Sequence, residues 1–144
     1  MARGGKAVNV TVIDSSVAYK WLCPDNESGV QAAEALLDAH ESGELVLAAP
    51  DFLHVELCSA VRNSSYLNEE SGTALVGELD AYRLELFPSS VKRLSNALRL
   101  SYRHNLSIYD ALFLQLAVEL DCPLVTADRK AFVGIDTPVE IRLL

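Results

Sequence analysis

Short apolar, β-branched runs alternate along the chain with longer stretches of helical period, a pattern that predicts a mainly parallel sheet with helices on both faces. The first run, Asn9 to Ile13, ends on Asp14; Ser15 and Ser16 then form the cap region of a helix that starts near Val17 and stops at Pro24. Val30 to Ala39, rich in Ala and Leu, reads as a second helix closed by the Ser42-Gly43 turn. Leu45 to Ala48 is a short buried strand, and Pro50-Asp51 opens a third helix over about Phe52 to Asn63. Leu75, Leu79, Tyr82 and Leu86 mark one amphipathic helix from about Glu69 to Glu85, with Asn68 as its cap and Phe87-Pro88 ending it in or beside a brief strand.

Ser89 or Ser90 caps a basic helix running to about His104, where Asn105 is the stop. Ser107 to Asp110 opens a helix that continues through Val118 and is apolar nearly all round, so it should be the central buried helix. Cys122 to Thr126 is another strand, and it hands over to Ala127-Asp128 as the first handed over to Asp14. A turn or short helix over Ala131 to Gly134 leads to a last strand, Val139 to Leu143, which brings the sheet to about five strands.

The 144 residues suit a single domain over 1–144, with residues 1–7 as an N-terminal tail. A chain of this length buries roughly 68–70% of its unfolded surface, so a real core is expected. Half the residues are hydrophobic and 22% are charged, which excludes disorder and a disulfide scaffold. The strongest apolar stretch, Ala111 to Val118, falls far short of the ~20 residues that span a bilayer, and no signal-peptide core precedes Asn9. A cytoplasmic protein without membrane association is expected. Cys23, Cys58 and Cys122 lack metal-site spacing and read as small core residues, and His40, His54 and His104 are scattered enough to be structural. The net charge of -8 argues against holding nucleic acid by bulk electrostatics, although Arg129 and Lys130 directly follow Asp128 and leave room for a local basic rim.

The chemistry lies in four acids. Asp14 ends a strand, where open α/β sheets bind ligands, although a helix cap is an equally ordinary job for it. Glu56 falls inside the apolar stripe of Phe52, Leu53, Leu57 and Ala60, and a carboxylate placed there needs a cation or ligand; Lys20 or Arg62 would serve in a purely structural reading. Asp110 opens the central helix, where Ser-x-x-Asp is also a capping-box pattern, and Asp128 ends its strand. Like charges ~4 Å apart repel by about 4 kcal/mol at an effective dielectric of about 20, so four clustered carboxylates require cations. An all-oxygen set suits Mg²⁺ or Mn²⁺, the ions that activate water and stabilise the leaving oxygen in phosphodiester hydrolysis.

The stretches VIDSSVAYKWLCPDNES, APDFLHVELCSAV and SIYDALFLQLAVELDCPLVTADRKAF, in that order, resemble a PIN-domain ribonuclease, close to the VapC toxins of toxin-antitoxin pairs. The resemblance runs from Val8 to Leu143 and implies a three-layer α/β fold. It implies Asp14, Glu56, Asp110 and Asp128 as the catalytic, metal-binding acids, with Ser15 and Thr126 orienting carboxylates or water. It further implies Mg²⁺- or Mn²⁺-dependent endonucleolytic cleavage of single-stranded RNA leaving a 5′-phosphate, inhibition by an antitoxin protein, and a homodimer. Lys20, Arg62, Arg129 and Lys130 are then the candidates for RNA contact. The apolar faces of the helices at Phe52–Asn63 and Glu69–Glu85 would serve the partner or second subunit, with Leu79 and Tyr82 in the association, unless they pack in the chain's own core. A catalytically silent PIN-like module binding RNA or protein is the alternative, and it should show a missing acid. A phosphoaspartate protein of the haloacid-dehalogenase type wants Asp-x-Asp after the first strand, where this chain has Asp14-Ser15-Ser16.

Overall fold

In the computed structural model, which describes residues 8–144, the strand β1 (Asn9–Ile13) runs through the middle of the molecule and its last three residues are buried. On one side it pairs with β2 (Leu45–Pro50), which pairs in turn with β3 (Glu85–Phe87). On the other it pairs with β4 (Leu124–Thr126), and β4 with β5 (Ile141–Leu143), giving the order β3-β2-β1-β4-β5 with every pair parallel. The tail expected over residues 1–7 lies outside the described residues.

Parallel neighbours need crossovers, and crossovers are right-handed, so the direction of winding decides which face each helix covers. The chain first moves outward from β1 to β2 to β3 through α1 (Ser15–Leu22), α2 (Val30–Ser42), α3 (Leu53–Asn63) and α4 (Glu69–Val76). It then returns across β1 to β4 through α5 (Val91–His104) and α6 (Ile108–Leu120), which places that pair on the opposite face. Contacts agree: α6 lies on β1, β2 and β4 with α5 packed outside it, while α1 meets β4 and α2 meets β2. The reversal between β1 and β4 is the switch point of the sheet, and Asp14 and Asp128 follow the two strands that flank it.

Helix α6 is the buried helix its composition predicts, with every residue from Ala111 to Ala117 buried. The single helix expected over Glu69–Glu85 is instead broken. Helix α4 stops at Val76 with Gly77 as its C-cap, a 3₁₀ turn follows over Leu79–Tyr82, and Arg83 turns the chain at φ 53 into β3. Gly77 is the cause legible in the sequence, because glycine inside a helix is disfavoured by about 1 kcal/mol relative to Ala. Gly72 has the opposite role: an added Cβ would lie 3.0 Å from Val61 Cγ1, so its lack of a side chain lets α4 approach α3 closely.

Leu79 is buried, and Tyr82 packs against Trp21 with ring centroids 5.2 Å apart, so both belong to the chain's own core rather than to an outer face. Boundaries shift elsewhere by a residue or two. Helix α1 begins at Ser15 because Asp14 itself is the N-cap, and β2 runs on to Pro50, whose Cα partner is Phe87. His40 is structural as expected: Nδ1 accepts the Leu47 N–H at 3.0 Å while Nε2 faces the carbonyls of Tyr82 and Arg83. The three cysteines are free, Cys122 buried and the others half-buried. Among the described residues no helix is long and apolar enough to cross a membrane.

Candidate active site

Two strand ends and two helices deliver the four acids. The parallel register Ile13↔Val125 sets the end of β1 beside the end of β4, so Asp14 comes level with Thr126. Asp14 is 4% exposed, and three donors from its neighbours meet its carboxylate. Oδ1 accepts the Ser16 N–H at 3.1 Å and the Ser16 hydroxyl, and Oδ2 accepts the Thr126 hydroxyl at 2.5 Å. The cap reading and the site reading of Asp14 therefore hold together.

Glu56 enters from the first turn of α3 and Asp110 from the first turn of α6. Phe52 ties these two helices together, stacking edge-on against Tyr109 at 5.7 Å and Phe113 at 5.2 Å. Glu56 Oε1 is buried without a hydrogen-bond partner. Neither basic residue that could have neutralised it does so: Lys20 pairs with Glu27 at 3.1 Å, and Arg62 is exposed at the far end of α3 beside an apolar groove. Only half of the capping box at Asp110 forms. The Ser107 hydroxyl accepts the Asp110 N–H at 3.1 Å, but no bond returns from the Asp110 carboxylate to the Ser107 backbone. Asp128 is exposed, with Oδ1 accepting the N–H groups of Lys130 and Ala131 in a tight turn.

Mutual electrostatics join the acids. Burial, above all, pushes the Asp14 carboxyl above its ordinary range; the hydroxyls of Ser16 and Thr126 and the Val17 N–H oppose it, and the charge on Asp110 adds to it. Burial likewise raises Glu56, against the neighbouring Ser15 side chain and with the charges of Asp110 and Asp14 adding. Asp110 is raised by burial, with Ser107 opposing and the charge on Asp128 adding. Asp110 is thus the hub, facing each of the other three. Of the four acids named from the sequence, Asp14 and Glu56 feel the charge on Asp110, and Asp110 feels that on Asp128.

Ser16 was not among the candidates. Besides holding Asp14, its hydroxyl accepts the Ala127 N–H at 2.9 Å and lies 3.4 Å from Thr126 Oγ1, lacing β1 to β4 across the switch point. Ser15 has its place beside Glu56 instead. A second hydroxyl following a strand-end Asp was the available signal, since a side chain at that helical position can reach back to the cap.

The residues fit a hard divalent cation in type and charge. All the acids are oxygen donors, one buried carboxylate oxygen lacks a partner, and like charges face one another without a cation between them. Among the described residues no three His, Cys, Asp or Glu side chains converge closely enough to grip an ion directly.

Comparison with known proteins agrees with this architecture. The PIN domain family model matches residues 11–136. The chain belongs to the PIN-domain family. It is 33% identical over 104 residues to ribonuclease VapC1 of Mycobacterium tuberculosis, covering 70% of this chain and 77% of that protein. Among solved structures, VapBC2 of Rickettsia felis bound to a promoter DNA fragment superimposes with a TM-score of 0.68 at 17% identity, over 94% of this chain and 98% of that one. VapC20 of M. tuberculosis, a toxin that cleaves the sarcin-ricin loop, matches with a TM-score of 0.63 at 12% identity, over 86% and 90% of the two chains. At such identities the structures establish the fold, and the fold is the three-layer α/β arrangement expected of the family.

Proposed function

We propose that this PIN-domain protein is a Mg²⁺- or Mn²⁺-dependent endoribonuclease acting on single-stranded RNA, the cytoplasmic toxin of a toxin-antitoxin pair. The observation that supports the reading is that burial and a neighbouring acid raise the pKa of each of Asp14, Glu56 and Asp110, with Asp14 and Asp128 following the two strands that flank the switch point. The 33% identity to a ribonuclease and the toxin-antitoxin structures of the same fold support the activity and the antitoxin partner.

These four acids would hold the cation, which supplies an activated water and charge stabilisation for the leaving oxygen of the phosphodiester. Thr126 and Ser16 fix the orientation of Asp14 and oppose the rise that burial gives its carboxyl, and Ser15 acts in the same sense on Glu56. Arg129 and Lys130, exposed directly after Asp128, are placed to meet the RNA backbone as it reaches that acid. Arg62 lies instead on the groove between α3 and α4, about 590 Å³ in volume and lined by Cys58, Val61, Leu67, Gly72 and Val76, which is the seat we assign to an antitoxin segment. A second copy of the chain would dock on α5, where Val91, Leu94, Leu98 and Tyr102 form one exposed apolar stripe and the same patch on both copies would be self-complementary.

The test is cleavage of a mixed RNA pool by purified protein with Mg²⁺ or Mn²⁺. Cutting should stop in chelator and in the Asp14→Asn variant, and cutting that survives both would remove the metal-dependent reading.

A further inference from the structure

Lys20 is the cation this site has yet to use. It sits on α1 at 6% exposure, although lysine is almost never buried without strong compensation. Its ammonium carries three N–H donors, and one hydrogen bond is found for it, to Glu27 Oε1 at 3.1 Å. Its stem runs beneath the start of α2, where a Cβ on Gly29 would lie 3.9 Å from Lys20 Cε. The two members of the pair differ: the lysine side chain is 7% exposed and the glutamate 31%. The buried partner has donors to spare, and the acid is the more exposed of the two.

Both line a cleft of about 390 Å³ together with Ser15, Ser16, Tyr19 and Asp128. Lys20 is the one cation among the described residues that line it, and every other charge there is negative. An anionic strand approaching Asp128 through this cleft meets repulsion everywhere except at that ammonium. Lysine binds phosphate as a point charge, and it is the one positive charge among the described residues that line the cleft.

We propose that Lys20 is a phosphate-binding residue for the RNA strand and that Glu27 is a built-in competitor, occupying the ammonium until a substrate phosphate displaces it. The proposal rests on the RNA-cleaving reading for the identity of the anion. A plain structural pair, tying the loop before α2 to α1, is the alternative it must beat. The two differ in sign: a structural glutamate helps binding or leaves it alone, whereas a competing glutamate weakens it.

The experiment measures the Kd of a labelled single-stranded oligoribonucleotide by fluorescence anisotropy in Ca²⁺, with the probe confirmed intact afterwards, for wild type, Lys20→Met, Glu27→Gln and the double variant. Gln keeps an oxygen to accept the same hydrogen bond, and thermal unfolding confirms that each protein is folded. Glu27→Gln should bind several-fold tighter than wild type. Lys20→Met should bind more weakly, and its log-affinity should fall less steeply with log salt by about 0.7, the slope lost with one single-strand phosphate contact. In the double variant the gain from Glu27→Gln should vanish. Equal or weaker binding by Glu27→Gln overturns the proposal, even if Lys20→Met fails to fold. So does a gain that persists without Lys20, which would make Glu27 a general repulsive charge. RNA cleavage in Mg²⁺, measured separately, decides the enzymatic reading: a chain that cuts without this binding pattern loses only the Lys20 proposal, and one that shows the pattern without cutting loses only the enzyme.

Discussion

The Thr126 hydroxyl donates to Asp14 Oδ2 across 2.5 Å, joining side chains 112 positions apart in the chain. The same oxygen accepts the Asp128 N–H at 3.0 Å, so one small residue fixes a buried carboxylate and the backbone of a second acid. Thr126→Val keeps the shape and removes both bonds. Leaving a buried, charged acceptor short of a donor costs about 1–3 kcal/mol near neutral pH. The loss should shrink at acid pH, where Asp14 is protonated and the hydroxyl matters less. Urea unfolding at the two pH values checks this, and a loss independent of pH would mean that Thr126 contributes packing rather than charge stabilisation.

Much of this site was legible because it depends on local pattern. A strand followed by an acid at Asp14 and Asp128, a carboxylate inside an apolar stripe at Glu56, and an acid opening the most apolar helix at Asp110 are all visible along the chain. What a linear reading lacks is pairing across the fold. The role of Ser16 depends on β4 lying beside β1, and the engagement of Lys20 by Glu27 depends on the loop before α2 folding back on α1. The apolar residues Leu79 and Tyr82 show the same limit from the other side, since periodicity finds a stripe without saying whether core or solvent faces it. The break at Gly77 was available in the sequence and was outweighed by the hydrophobic spacing on either side of it.

The acids should leave a signature in pH. Glu56 has a folded pKa above its ordinary 4.5, so the native state binds more protons than the unfolded chain over that window, and stability falls as pH rises. The contribution is fully present below the unfolded value and is lost as pH rises through the folded one. Glu56→Gln removes this contribution and relieves the charge it places on Asp14 and Asp110. In metal-free protein the variant should therefore gain on wild type with rising pH through that window. Chemical denaturation of both proteins across the range checks it, and a constant difference would show that Glu56 does not feel burial and its neighbours as described.

Association is expected through α5. Val91 and Tyr102, at 84% and 82% exposure, lie on one stripe with Leu94 and Leu98. Sedimentation should show a wild-type dimer, and Leu98→Glu combined with Tyr102→Glu should shift it to monomer with the circular dichroism unchanged. A monomeric wild type would leave the stripe without this partner, and a dimer that survives both changes would place the interface elsewhere.

Asp110 separates two roles that share one position. The capping bond that forms at α6 runs from the Asp110 backbone N–H to the Ser107 hydroxyl, so it survives Asp110→Asn. The carboxylate itself makes no return bond, and its charge acts on Asp14 and Glu56, which burial above all has already raised. If the carboxylate were the cap, removing its charge would cost about 1 kcal/mol. If it is the hub of the acid cluster, its charge is a liability in metal-free protein. Its folded pKa stands above the ordinary 3.8, so the native state binds the extra proton and stability is lost as pH rises through that folded value. Asp110→Asn should then be as stable as wild type, or more so, in chelator near neutral pH. It should lose the stabilisation that Mg²⁺ or Mn²⁺ gives wild type, because only a ligand that binds the folded state raises the unfolding temperature. RNA cleavage should go with it. Thermal unfolding of both proteins, first with chelator and then with metal, gives the answer. A variant that is less stable without metal, yet gains from metal as wild type does, would return Asp110 to the helix as a cap and leave the cation to Asp14, Glu56 and Asp128.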